Sequence, residues 1–203
     1  MSHAQRYLLE VEAIARAIDP AAVEDVALEL RQLRERGGRA FVLGVGGSAA
    51  NASHLVNDLR KLCAIEAYAP TDNVAELTAR TNDDGWAESF RGWLEVSRLS
   101  ERDLLFVLSV GGGDAARGVS PNLVAALELG RARGSRIVGI VGRDGGATRA
   151  LAHACVLVPP LEPARVTAHT EAFQAIISHL LVSHPGLQVA PGKWEAQTTR
   201  ASQ

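Results

Sequence analysis

Residues 39–48 read Arg39-Ala-Phe-Val-Leu-Gly-Val-Gly-Gly-Ser48. A short apolar run ends here in a glycine-rich turn, and a helical pattern follows it. Apolar runs of the same kind recur at 64–69, 104–109, 136–141 and 154–158, with helical segments at 87–99, 122–133, 147–154 and 168–183 between and after them. Runs that are apolar at every position are strands buried on both faces. Strands that alternate with helices form a parallel sheet covered on two sides. The segment therefore sets the fold class as α/β.

Two helices are expected before the first strand. Tyr7, Leu8, Val11, Ile14, Ala15 and Ile18 recur at three- and four-residue steps. Asp19-Pro20 then supplies an N-cap and a first-turn proline for a second helix through Val23, Val26, Ala27, Leu30 and Leu33. That helix stops at Gly37-Gly38. The pattern divides the chain into a helical pair (1–38), a sheet domain (39–185, closed by Pro185-Gly186) and a polar tail (186–203). The tail is expected to be mobile, with Trp194 able to pin part of it. Both early helices carry apolar residues on more than one face, which predicts a homo-oligomer.

Composition excludes several classes. Of 203 residues, 47% are hydrophobic and 22% charged, which is globular rather than disordered. No apolar run is long enough to span a bilayer. The first 19 residues carry Glu10 and Glu12 and read as an amphipathic helix rather than a signal peptide. A net charge of −2 supplies no field to hold nucleic acid or an acidic membrane. Cys63 and Cys155 lie far apart in apolar contexts, so a cytoplasmic home is expected.

Ligands of parallel sheets bind beyond the carboxyl ends of the strands. Two glycine-rich turns fall there, Gly44–Ser48 and Ser109–Gly113. The first fits G-x-G-x-x-A, the dinucleotide fingerprint, and Glu66 follows at about the spacing of a ribose-binding acid. A dinucleotide does not need the second turn, however, whereas a small phosphate held by backbone N–H groups and serine hydroxyls explains both.

Polar groups gather around these turns. His54 and Asp58 are four apart on the helix after the first turn and share one face. Glu171 and His179 are eight apart on the last helix. Imidazoles with carboxylates suit zinc or a similar ion, and the same groups can move protons. Eight helical residues rise about 12 Å, too far for both side chains of a straight helix to reach one ion easily. Either Glu171 precedes regular helix, or the site draws on two subunits, or one of the pair does other work.

In order along the chain, Gly44-Val-Gly-Gly-Ser48 with His54, Thr81-Asn82-Asp83, Leu105–Ser109, Ser120-Pro121-Asn122 and Gly142-Arg-Asp-Gly-Gly146 resemble the sugar isomerase (SIS) domain of phosphoheptose isomerases over roughly residues 5–184. The resemblance implies a Rossmann-like (flavodoxin-like) five-stranded parallel sheet. It also implies a homotetramer with active sites at subunit interfaces, and conversion of sedoheptulose 7-phosphate to D-glycero-D-manno-heptose 7-phosphate with zinc. It places substrate binding at Val45, Gly46, Gly47, Ser48, Asn82, Asp83, Ser109, Val110, Gly111, Ser120 and Glu171. Metal and proton-transfer roles fall to His54, Asp58, Glu171 and His179, with Asp58 or Glu171 as base and His179 as its partner.

This chain departs from the pattern in four places. Val45 replaces an asparagine, Asp58 a glutamate and Glu171 a glutamine. The segment 109–120 has twelve residues where the family has a six-residue Ser-Thr-Ser-Gly-Asn-Ser loop. Arg117 and backbone N–H groups are expected to compensate for the lost hydroxyls. The expected function is a metal-assisted aldose–ketose isomerase. The alternative is a non-catalytic SIS protein that binds a sugar phosphate or acts as an adaptor.

Overall fold

The computed structural model describes residues 1–201. Helices α1 (His3–Ala17) and α2 (Pro20–Glu35) come first. A Ser2/Gln5 capping box starts α1, and the Asp19 carboxylate accepts from the Ala21 N–H at 2.9 Å to start α2. The chain then alternates through β1 (Ala40–Leu43), α3 (Gly47–Cys63), β2 (Ala67–Tyr68), α4 (Val74–Asp83) and α5 (Ser89–Val96). It continues through β3 (Leu104–Ser109), α6 (Pro121–Ala132), β4 (Arg136–Val141), α7 (Gly146–Leu151), β5 (Ala154–Leu157), α8 (Val166–Val182) and α9 (Lys193–Ala201).

All pairings are parallel, in the order β2-β1-β3-β4-β5. This is the five-stranded α/β sheet that the sequence pattern implies. Strand side chains alternate between the faces. Val42, Phe106, Leu108, Val138 and Ile140 pack with α2, α3 and α8 on one side. Phe41, Leu43, Leu105, Val107 and Ile137 pack with α5 and α6 on the other. The first of these clusters includes Val26, Leu30 and Leu33 of α2 and also Leu187. The boundaries expected at 38 and 185 therefore mark changes of pattern and not breaks in the core.

Three elements differ from expectation. The strand read at 64–69 shrinks to two residues, because Ala64 caps α3 in the left-handed region (φ 52°) and Tyr68 lies half exposed. The helix read at 87–99 becomes a single 3-10 turn, Trp86–Glu88, followed by α5. Helix α4 has no buried residue, so no apolar stripe announced it. The start of the tail is tied down rather than loose. Leu187 is fully buried, the Val189 and Ala190 N–H groups donate to the Leu62 carbonyl, and α9 follows. Residues 202–203 lie outside the described residues.

Asp103 joins the amino ends of β1 and β3. It is 2% exposed and accepts from the Arg39 N–H, Nε and Nη2 and from the Ser100 N–H and Oγ, all at 2.8–3.1 Å. Burial pushes its carboxyl up, and the hydrogen bonds from Arg39 and Ser100 overcome this and hold it below the usual range. Asp103→Ala leaves the Arg39 donors without their acceptor. It is expected to cost about 2–3 kcal/mol, tempered by the partial exposure of Arg39, read as a lower denaturant midpoint with an unchanged slope.

Candidate active site

The strand order reverses between β1 and β3, so their carboxyl ends diverge there and leave a crevice. Helix α3 starts in it after Gly46 (φ 63°) and buries Ser48. Val45 packs partly buried against the cluster on the α5 and α6 side of the sheet. Helix α8 runs beside α3 in the same direction. Asn51 Nδ2 donates to the Glu171 carbonyl at 2.9 Å and to Gln174 Oε1 at 3.1 Å, and further along Cys63 Sγ donates to the Val182 carbonyl at 3.7 Å. The contact is closest at its start. A Cβ added to Gly47 would collide with the Glu171 carboxylate. The absence of a side chain at Gly47 thus lets Glu171 lie over the first turn of α3, where the helix dipole favours negative charge.

Two turns along the same pair of helices lies a second group. His54 Nε2 is 3.3 Å from Asp58 Oδ2, and the His54 and His179 rings meet edge to face with centroids 5.0 Å apart. One ligand atom from each of His54, Asp58 and His179 lies within 4.8 Å of the others. Asp58 is buried, and its second oxygen accepts from Asn57 Nδ2 at 2.9 Å, which orients it. Two imidazoles and one oriented carboxylate fit a divalent ion with an open position, and zinc suits that donor set. Glu171 is not part of the group. Helix α8 is continuous from Val166, so Glu171 sits within regular helix and its distance from His179 along the axis is real.

Glu171 instead lines a cleft of about 890 Å³ with Val110, Arg143, Asp144, Arg165 and Thr167. Gly111 adjoins it, packed under the Arg143 side chain. Ser109 Oγ accepts from the Gly112 N–H at 2.9 Å, and Ser120 takes a left-handed conformation (φ 50°) at the start of α6 with no side-chain cap bond. Asn82 and Asp83 are exposed at the end of α4, bonded to each other at 2.8 Å, and do not line the cleft. Arg117 does not line it either. It pairs with Asp114 at 3.1 Å on the exposed loop, which corrects the expectation that it replaces the lost hydroxyls. Glu66 precedes β2 and accepts from the Tyr68 hydroxyl, so it lies at the amino end of that strand, whereas a ribose-binding acid stands at the carboxyl end. Cys63 and Cys155 are free, and burial pushes both thiols up to about 11, which leaves little thiolate at neutral pH.

The sequence reading missed Arg143, Arg165 and the anchor behind Arg165. Arg165 holds Glu10 of α1 through two bonds of 2.8 and 2.6 Å, and buried His169 reaches the same carboxylate at 2.9 Å. Tyr7 packs on the His169 ring, with centroids 4.5 Å apart. These pairs span more than 150 residues of chain, so no local pattern could reveal them.

The fold and crevice define a doubly wound α/β domain with its site at the strand-order switch, and the SIS domain model matches residues 6–142. The chain belongs to the SIS-domain family. Its similarity extends to a phosphoheptose isomerase of Pelobacter propionicus, with 35% identity over 74% of this chain and 78% of that protein. A lincomycin biosynthesis protein of Streptomyces lincolnensis is 33% identical over 73% of this chain, which spans 56% of that longer protein. The phosphoheptose isomerase structure from Neisseria gonorrhoeae shares the fold with a TM-score of 0.75, covering 88% of this chain and 95% of that one at 23% identity.

The anchor on α1 depends on ionised Glu10. Hydrogen bonds from Arg165, then from His169, lower its carboxyl from 4.5 to about 2. A carboxyl depressed in the folded state stabilises above its unfolded value and loses that contribution as pH falls through the folded one. Amide protection along α1 is therefore expected to drop between about pH 4.5 and pH 2. In Arg165→Ala the loss should begin at higher pH, which hydrogen exchange would detect.

Proposed function

We propose that the chain is a phosphoheptose isomerase that converts sedoheptulose 7-phosphate to D-glycero-D-manno-heptose 7-phosphate through an enediolate. The observation that carries this reading is the Glu171 carboxylate seated over the first glycine turn and open to the cleft. The metal-type group formed by His54, Asp58 and His179 lies on the same ridge of α3 and α8.

Glu171 acts as the base. It takes a proton from C1 of the ketose, the C1–H electron pair forms the C1–C2 double bond, and the carbonyl oxygen becomes the enediolate oxygen. The carboxylic acid returns the proton to C2, a proton passes from O1 to O2, and the aldose carbonyl stands at C1. The cleft holds the chain of the sugar so that the reacting carbons meet the carboxylate. His54, Asp58 and His179 would hold one zinc ion, which when bound supplies Lewis-acid stabilisation of the developing charge.

A homotetramer with interfacial active sites completes the reading. Leu8 and Leu9 on α1 are 67% and 51% exposed, and Ile176 and Leu180 flank His179 on the outward face of α8 at 48% and 45%. Apolar exposure beside the ridge is what a second subunit would cover, and that subunit would enclose Glu171 and the histidine group together. Two cysteines that form no disulfide support a cytoplasmic location. Among the described residues no helix is long and apolar enough to cross a membrane.

NMR of the protein with a panel of ketose phosphates should show exchange at C1 and C2 for the seven-carbon substrate. Glu171→Gln is expected to keep zinc and to lower kcat by about 100-fold or more. Asp58→Asn is expected to lose zinc and activity together. A Glu171→Gln variant as fast as the parent would return the role of base to Asp58. Light scattering at micromolar concentration is expected to give four subunits, and a monomer would contradict the interfacial site.

A further inference from the structure

The loop from 109 to 120 is poor in hydroxyls, and the two it keeps are Ser109 and Ser120. Three guanidinium groups are near enough in sequence or space to replace what is missing. Arg117 is taken by Asp114 and stands outside the cleft. Arg165 lines the cleft but is committed to Glu10, with Glu162 at 3.3 Å. Arg143 lines the cleft with Val110 and Glu171, and among the described residues it has no hydrogen-bond or ion-pair partner. Its aliphatic stem lies across the second glycine turn, where Cδ is 3.9 Å from the place of a Cβ on Gly111. The neighbouring Asp144 also lines the cleft, and its Oδ1 accepts from the Gly146 N–H at 3.3 Å rather than from Arg143.

The backbone supplies a second observation. Arg143 has φ 52°, in the left-handed region that glycine occupies freely and a branched or long side chain occupies at a cost. Glycines adjoin this position on both sides of the turn, at 142, 145 and 146, yet 143 is arginine. Strain of this kind persists at sites where the side chain is needed.

We propose that Arg143 is the phosphate-gripping residue of the cleft, holding the phosphate end of the substrate through a two-pronged guanidinium contact in place of the missing hydroxyls. The assignment rests on the isomerase reading for the identity of the substrate, but not for the anion it binds. A guanidinium matches two phosphate oxygens at once, and an unpaired one at the wall of a cleft has no competing carboxylate to release first. Glu171 then works on the carbons at the other end of the bound sugar. Because the contact is the same in ground and transition states, its loss should appear in KM and not in kcat.

The test uses Arg143→Gly, which removes the guanidinium while relieving the left-handed strain, and Arg143→Lys, which keeps the charge without the fork. The readouts are isomerase kinetics, the inhibition constant of inorganic phosphate, direct titration with inorganic phosphate, and Tm. For Arg143→Gly the expected result is a Tm no lower than the parent's, KM and the phosphate constant raised together by about 10-fold or more, and kcat within about 3-fold. Arg143→Lys should recover part of the affinity. Unchanged KM and phosphate affinity in Arg143→Gly overturn the proposal while the isomerase reading stands. A fall in kcat with KM unchanged also overturns it, as does a parent that does not bind phosphate. If the parent isomerises no ketose phosphate but Arg143→Gly still loses phosphate affinity, the isomerase reading fails and the anion site stands.

Discussion

The close side-by-side run of α3 and α8 is the constraint on which the site depends. Asn51 ties the two helices by donating to both the Glu171 carbonyl and the Gln174 side chain. Gly47 lets the Glu171 carboxylate settle where any larger residue would stand. Because the helices run in the same direction, residues that meet at one end predict which residues meet further along. Glu171 belongs with Gly47, and His179 belongs with His54. A single packing decision thus sets both the position of the base and the composition of the histidine group. Side chains on two packed helices keep this spacing far better than side chains on loops would.

Much of this was legible in the sequence because it is local. Strands β3 and β4 begin and end where their apolar runs do, since both are buried on two faces and bounded by turn residues. Asp19-Pro20 announced α2 through cap chemistry that needs only neighbours. His54 and Asp58 were readable as a pair from their four-residue spacing, and the distance between Glu171 and His179 followed from helical rise. The two glycine turns at one edge of the sheet were legible as well, since each follows its strand directly.

The rest required folding. Helix α4 has no fully buried residue and only Leu77 packs against the core, so the sequence reading assigned no helix to the segment that carries Thr81-Asn82-Asp83. Arg117 looked like the natural anion binder because it sits in the loop that had lost hydroxyls, but the loop turns it back onto Asp114. Arg143 lay inside a glycine motif and drew no attention as a cation. The anchor from α1 to Arg165 and His169 joins opposite ends of the chain. Such contacts depend on which helices the sheet brings together, and no periodicity records them.

The long loop between β3 and α6 closes on itself. Asp114 and Val119 exchange both backbone hydrogen bonds, and Arg117 caps the small hairpin through Asp114. Just before it, the carbonyls of Gly112 and Gly113 are fixed by Thr148 and Ala147 of α7. The extra residues are therefore looped out between two clamped points. Lengthening such a segment costs only a slowly growing closure entropy and leaves the clamped ends where they were. The fold thereby separates two kinds of variation at its rim: the hairpin can change in length and sequence over generations without moving the cleft wall, while the clamped glycines beside it cannot.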